Sequence, residues 1–163
     1  DLKNNISTVA RVIGCDDQYI GKELIYLYSE LTSGEVKYVG KIEVAESAKL
    51  VENIQRDINI ALVNELAIIL PHLGVDVEDV LDAASTKWNF HRYKPGLGVG
   101  GHCIPIDPYF IIDKAKFQGL SANLVSSARK INELMPSVTS KQIQKILLSR
   151  YGDNKSSYFF GLY

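Results

Sequence analysis

Net charge is almost absent from this chain. Eighteen Lys and Arg face nineteen Asp and Glu, leaving −1 at pH 7, so there is no electrostatic case for nucleic acid or for an anionic membrane surface. Cysteine is nearly as scarce. Two residues, Cys15 and Cys103, are too few for a disulfide scaffold, and a reduced cytoplasmic protein is expected. No apolar run approaches the roughly 20 residues that span a bilayer, and Asp1-Leu-Lys-Asn-Asn5 has no signal-peptide pattern. Proline is missing before Pro71 and glycine is missing from Val44 to Leu73, which leaves a long helix uninterrupted there.

The 163 residues, 46% hydrophobic and 23% charged, suit one ordinary globular domain and are short for two. Ala10-Arg-Val-Ile-Gly14 reads as a short strand. Ile20, Leu24, Ile25, Tyr28 and Leu31 then recur at helical spacing up to Gly34, and Glu35–Val39 alternates as a second strand. The glycine-free stretch carries Val44, Ala48, Val51, Ile54, Ile58, Ala61, Leu62, Leu66 and Ile69 at helical spacing. Thirty helical residues make a rod of about 45 Å. Its apolar residues are too widely spread for one stripe, so burial on more than one side is expected. Gly74 stops this rod, and Asp76 caps a short helix ending near Ala84. Further helices are expected from Pro108 to Gly119, from Leu124 to Leu134 with an interruption at Pro136, and near Lys141 to Arg150. Tyr158–Leu162 reads as the first strand of another α/β unit, so both ends look cut.

Between the helices lies Pro95-Gly-Leu-Gly-Val-Gly-Gly-His-Cys-Ile-Pro-Ile-Asp-Pro108. Four glycines within Gly96–Gly101 let backbone approach a ligand. Cys103 follows as a candidate thiolate nucleophile, against the alternative of a small buried apolar residue. Asp107 is a candidate base, or else a cap before Pro108. On the long helix Lys49 and Asn53 share one face, suited to stabilising an oxyanion or simply to being solvated. His91, His102, Cys103 and Asp107 lack metal-ligand spacing, so no metal is expected. Gly96, Gly98 and Gly101 formally match G-x-G-x-x-G, but Trp88–Lys94 is not a convincing strand before them, so no cofactor fingerprint is assigned.

Three segments together resemble the UDP-glucose/GDP-mannose dehydrogenase family: Ala45-Glu-Ser-Ala-Lys49-Leu-Val-Glu-Asn53, Asn59-Ile-Ala-Leu-Val-Asn64-Glu65-Leu66 and Gly98-Val-Gly-Gly-His-Cys103-Ile-Pro-Ile-Asp107. The Gly-Gly-x-Cys-x-x-x-Asp element is highly specific. Thr86-Lys-Trp-Asn-Phe90 and Arg129-Lys-Ile-Asn132-Glu-Leu-Met-Pro136 look most like the branch acting on UDP-N-acetylhexosamines.

The resemblance implies a fold that is mainly α with α/β ends. A long central helix and a helical dimerisation domain would be flanked by remnants of two Rossmann-like domains. It divides the chain into 1–43 from a dinucleotide-binding domain, 44–136 as the central helical domain and 137–163 as the start of a UDP-sugar-binding domain. It implies oxidation of the sugar C6 alcohol to a carboxylate with two NAD⁺, supplying precursors for surface polysaccharide, in a cytoplasmic homodimer joined through the long helix. Cys103 matches the nucleophile that passes through a thiohemiacetal and a thioester. Asp107 matches the carboxylate assisting proton transfer, and Lys49 with Asn53 the oxyanion pair. Arg92 and Tyr93, with Gly98, Gly100 and Gly101, match the sugar-facing side. The Rossmann fingerprint is absent, so the NAD site is unassigned and the chain alone is expected to be inactive. A dimerisation module without catalysis is the alternative.

Overall fold

The computed structural model describes residues 5–151. Near its start, strands β1 (Arg11–Ile13) and β2 (Val36–Tyr38) pair in parallel, with Arg11 opposite Val36 and Ile13 opposite Tyr38. Helix α1 (Gln18–Leu31) crosses between them, as a parallel connection requires. Asp17 caps α1, its carboxylate accepting the N–H groups of Tyr19 at 2.8 Å and Ile20 at 3.1 Å.

The uninterrupted stretch forms α2 (Ile42–Ile69), which tightens into a 3₁₀ turn over Leu70–Leu73. Gly74 adopts φ +74° and closes it. Asp76 caps α3 (Val77–Ala84), and Glu78 and Asp79 put negative charge in its first turn. A long loop leads to α4 (Asp107–Phe117), which ends before Gly119 at φ +72°. Among the described residues the fold is mainly helical with one small α/β end. The expected strand Tyr158–Leu162 lies outside them.

Two expectations change. The sequence suggested a break at Pro136 between two helices; instead α5 (Asn123–Tyr151) runs through it. Proline removes one N–H, which would otherwise bond the carbonyl four residues back, that of Asn132. A helix embedded in tertiary contacts survives that single loss. The second change concerns α2. Its buried residues are Asn53, Ile54, Asp57, Ala61, Val63 and Asn64, where α4 and α5 pack on it. Val44, Val51, Leu62 and Ile69 remain exposed, so among the described residues this line of the rod is uncovered. No single described helix is long and apolar enough to cross a membrane.

The buried set is unusual in its chemistry. Isoleucine, valine, leucine, alanine and methionine are present at Ile54, Val63, Leu81, Ala128 and Met135, yet the largest fully buried side chains are Asn53, Asp57, Asn64, Asn132 and Pro108. Buried polar groups are tolerated only when hydrogen-bonded, which makes their partners the next question.

Candidate active site

Asn53, Asp57 and Asn64 are spaced by four and seven residues, so they share one face of α2. At the first of these positions Asn53 Nδ2 donates to Asp107 Oδ2 at 2.5 Å. Asp107 opens α4, where the helix dipole favours a carboxylate, and Pro108 beside it gives up an N–H that a first turn does not need. Four residues earlier, the carbonyl of Cys103 accepts the N–H groups of Ile106 at 3.0 Å and Asp107 at 2.8 Å. Thiol and carboxylate therefore sit on one closed turn. Cys103 is exposed and free, and among the described residues its thiol makes no hydrogen bond.

The loop before Cys103 is anchored from below. Gly96 N–H donates to Asn64 Oδ1 at 2.8 Å, and Asn64 Nδ2 donates to Asn132 Oδ1 at 2.9 Å. Asn132 Nδ2 reaches both the Asp57 carbonyl at 3.0 Å and Asp57 Oδ1 at 2.8 Å. Arg129 Nη1 forms an ion pair with the same Oδ1 at 2.6 Å, both side chains being almost fully buried. Gly98 has φ +120°, and a Cβ there would lie 2.7 Å from the Asn132 carbonyl oxygen. Glycine is needed here for contact with α5. At Gly100 and at Gly101, whose φ is +88°, an added Cβ meets nothing within 4 Å, so that part of the loop faces open space.

A branch of the same network reaches the surface. Arg129 Nη2 lies 3.4 Å from Glu133 Oε1, which accepts the Tyr109 hydroxyl at 2.5 Å. Burial pulls the Arg129 guanidinium pKa down, but the Asp57 charge and the hydrogen bonds to Asp57, Tyr109 and Glu133 together outweigh it and leave it raised. The Tyr109 hydrogen bond holds the Glu133 carboxyl below the usual range, and the same bond raises the Tyr109 phenol.

The remaining candidates lie elsewhere. Lys49 Nζ pairs with Glu52 Oε2 at 3.0 Å, and Arg56 meets the other Glu52 oxygen at 3.1 Å. The Lys49 bond lowers the Glu52 pKa. Lys49 and Glu52 line a hollow of about 350 Å³ between α2 and Val9–Val12. Arg92 pairs with Glu78 Oε2 at 2.5 Å and with Asp82, both on α3. Tyr93 borders an open cleft of about 460 Å³ with Gln55, Asn59, Leu62, Phe90 and His91. The structure thus joins Asn53, Asp107 and the Cys103 turn, while the polar contacts of Lys49 and Arg92 are to other partners.

Among the described residues no group of three or more His, Cys, Asp or Glu side chains could hold a metal ion. The glycine loop does not fit a dinucleotide either. Residues 90–95 are not a strand, and α4 begins only at Asp107, six residues past Gly101.

Asp57, Asn64, Arg129 and Asn132 went unassigned as site residues in the sequence. The signal was there: a polar residue at 53, 57 and 64 amid helical apolar periodicity, and Arg129 with Asn132 three apart. A polar stripe reads by default as solvated, and nothing local says that it is sealed.

The sequence pattern of the UDP-glucose/GDP-mannose dehydrogenase family, central domain, matches residues 43–134. The chain is 41% identical over 150 residues to a UDP-N-acetyl-D-glucosamine 6-dehydrogenase of Pseudomonas aeruginosa, covering 92% of this chain and 35% of the relative. It is 39% identical over 142 residues to a UDP-N-acetyl-D-mannosamine dehydrogenase of Methanocaldococcus jannaschii, covering 87% and 32%. The solved UDP-D-ManNAc dehydrogenase of Pyrococcus horikoshii superposes with a TM-score of 0.81 at 34% identity, over 88% of this chain and 34% of that one. The chain therefore spans about a third of the length of these relatives.

Proposed function

Since the chain belongs to the UDP-glucose/GDP-mannose dehydrogenase family, we propose that it is the catalytic centre of a UDP-N-acetylhexosamine 6-dehydrogenase, which oxidises a C6 alcohol to a carboxylate. The observation that carries this reading is the Asn53–Asp107 hydrogen bond beside the Cys103 turn. It joins an amide on α2 to a carboxylate 54 positions along the chain that shares a closed turn with the Cys103 thiol.

In this reading the Cys103 thiolate adds to the C6 aldehyde, forming a C–S bond and an oxyanion. The thioester that follows is hydrolysed by water, which restores the thiol and releases the acid. Asp107 holds or moves the proton of that water, with Asn53 orienting its carboxylate. Lys49 and Asn53 lower the energy of the oxyanion; Lys49 must first leave its pair with Glu52, an exposed contact that costs little to break. Arg92, Tyr93, Gly98, Gly100 and Gly101 border the substrate side. NAD⁺ would accept the two hydrides; the glycine loop does not fit it, and no described residue is assigned to hold it.

We further assign residues 1–43 to the dinucleotide-binding domain, 44–136 to the central domain and 137–163 to the UDP-sugar domain, in a cytoplasmic homodimer making polysaccharide precursors. The exposed apolar line Val44, Val51, Leu62 and Ile69 on α2 supports the dimer, and also favours the second reading of a dimerisation module without catalysis.

The test is turnover in a protein that joins this chain to a complete dinucleotide-binding domain and a complete UDP-sugar-binding domain. With UDP-N-acetylglucosamine or UDP-N-acetylmannosamine and NAD⁺, NADH forms, and Cys103→Ala reduces it to background. Full turnover by Cys103→Ala, or none by the parent, overturns the catalytic reading; light scattering on the same samples reports the dimer independently. The 163-residue chain alone is expected to give no NADH signal.

A further inference from the structure

The buried polar chain between α2 and α5 contributes no group to the chemistry above, yet it ends on the backbone of the reactive loop. We propose that Asp57, Arg129, Asn132 and Asn64 form a positioning device that sets the geometry of the loop presenting Cys103, with Pro136 and Gly98 as its matched backbone parts. The proposal deepens the reading of Cys103 as the nucleophile and rests on it for its functional meaning, but its geometry stands without it.

The device grips the loop at both ends. Upstream, Asn64 Oδ1 accepts the Gly96 N–H, seven residues before Cys103. Downstream, Asn53 on the same face of α2 holds Asp107, and Tyr109 is tied through Glu133 to Arg129. Asn132 is the hub: its amide bonds Asn64 on one side and Asp57 on the other. Every amide atom of Asn64 and Asn132 is thereby committed, which fixes both orientations and leaves no freedom to flip. Arg129 Nη1 meets the same Asp57 oxygen that accepts the Asn132 amide, so one carboxylate oxygen ties both α5 residues to α2.

The backbone adds a second grip. Pro136 has no N–H to give the Asn132 carbonyl, and the released oxygen is the atom against which Gly98 packs, where a Cβ would lie at 2.7 Å. The proline that locally weakens α5 thus leaves a carbonyl free at the point where the loop crosses it.

A merely structural role and a positioning role diverge in a pair of variants. Asn64→Leu keeps volume and removes both bonds. Asn64→Asp keeps the acceptor for Gly96 but buries a charge, so it is the more destabilising of the two. In the 163-residue chain carrying Cys15→Ala, amide hydrogen exchange and the iodoacetamide rate of Cys103 are read well below the melting temperature. Asn64→Leu is expected to speed exchange of the amides of residues 96–106 by about tenfold or more while α2 and α5 stay protected, and to change the alkylation rate. Asn64→Asp is expected to keep loop exchange within about threefold of the parent despite its lower melting temperature.

Loop exchange that follows melting temperature across both variants, or unchanged loop exchange in Asn64→Leu, overturns the proposal. If Asn64→Leu does not fold, Gly98→Ala carries the test, because it presses the loop away from the Asn132 carbonyl without removing any side-chain hydrogen bond of the network. It should loosen residues 96–106 with the helices intact, and an unaltered loop is again a refutation. Loss of turnover in Cys103→Ala is a separate readout, so failure of the catalytic reading and failure of this one are distinguishable.

Discussion

Lys49 and Asn53 sit one turn apart on the same face of α2, yet they live in different electrostatic worlds. Lys49 is exposed and shares Glu52 with Arg56; Asn53 is sealed and holds Asp107. The cover supplied by α4 and α5 begins between them. On the open side, charges face water and salt, and each pair contributes little. On the sealed side most polar atoms depend on a specific partner, Asp57 Oδ2 and Arg129 Nε being the exceptions, and removing a partner leaves another group stranded. The same helix face is therefore adjustable at Lys49 and rigid from Asn53 to Asn64, which suits the proposed site, where the cation would leave its pair and the framework would not shift.

The sharpest way to break this contrast is Arg129→Met. It strands the Asp57 carboxylate, whose side chain has no exposure, and should cost about 3–5 kcal/mol in urea unfolding. Adding Asp57→Leu should recover part of the loss, because no charge then remains buried unpaired. A cost below about 1 kcal/mol for Arg129→Met would show that the seam is wetter than its burial indicates. Asn53→Ala comes next, at about 1–3 kcal/mol. On the open side Lys49→Ala should cost no more than about 1 kcal/mol, and its effect should vanish in 1 M NaCl.

The smallest effects come from pH. Glu133 has a depressed pKa through its bond to Tyr109, so its stabilising contribution is present above the ordinary value of 4.5 and is lost as pH falls through the depressed one. Tyr109 is shifted the other way by the same bond. Its contribution is complete below 10.0 and disappears as pH rises through the raised value. Tyr109→Phe should flatten both limbs of the melting temperature against pH; unchanged limbs would place the titrating groups elsewhere.

The elements themselves were largely legible. Asp76 caps a helix because a short side-chain oxygen satisfies free N–H groups, and Gly74 and Gly119 end segments because they accept positive φ. The types of the candidate residues were legible too, since the Gly-Gly-His-Cys loop and Asp107 are contiguous. Pro136 misled because its rule is local: it states what one missing N–H does to a helix, and not what tertiary packing can absorb. The pairing of Asn53 with Asp107 spans 54 positions, and no periodicity reaches that far.

By itself, then, the sequence determined where helices begin and end, which residues share a face of α2, and which carry reactive groups. Those are properties of backbone geometry and of single side chains. Only the tertiary structure decided that the face bearing Asn53, Asp57 and Asn64 turns inward, while Lys49, one turn earlier, stays in water. Whether a polar stripe is solvated or sealed depends on donors and acceptors arriving from another helix. Here Arg129 and Asn132 arrive from α5, more than seventy positions from Asp57.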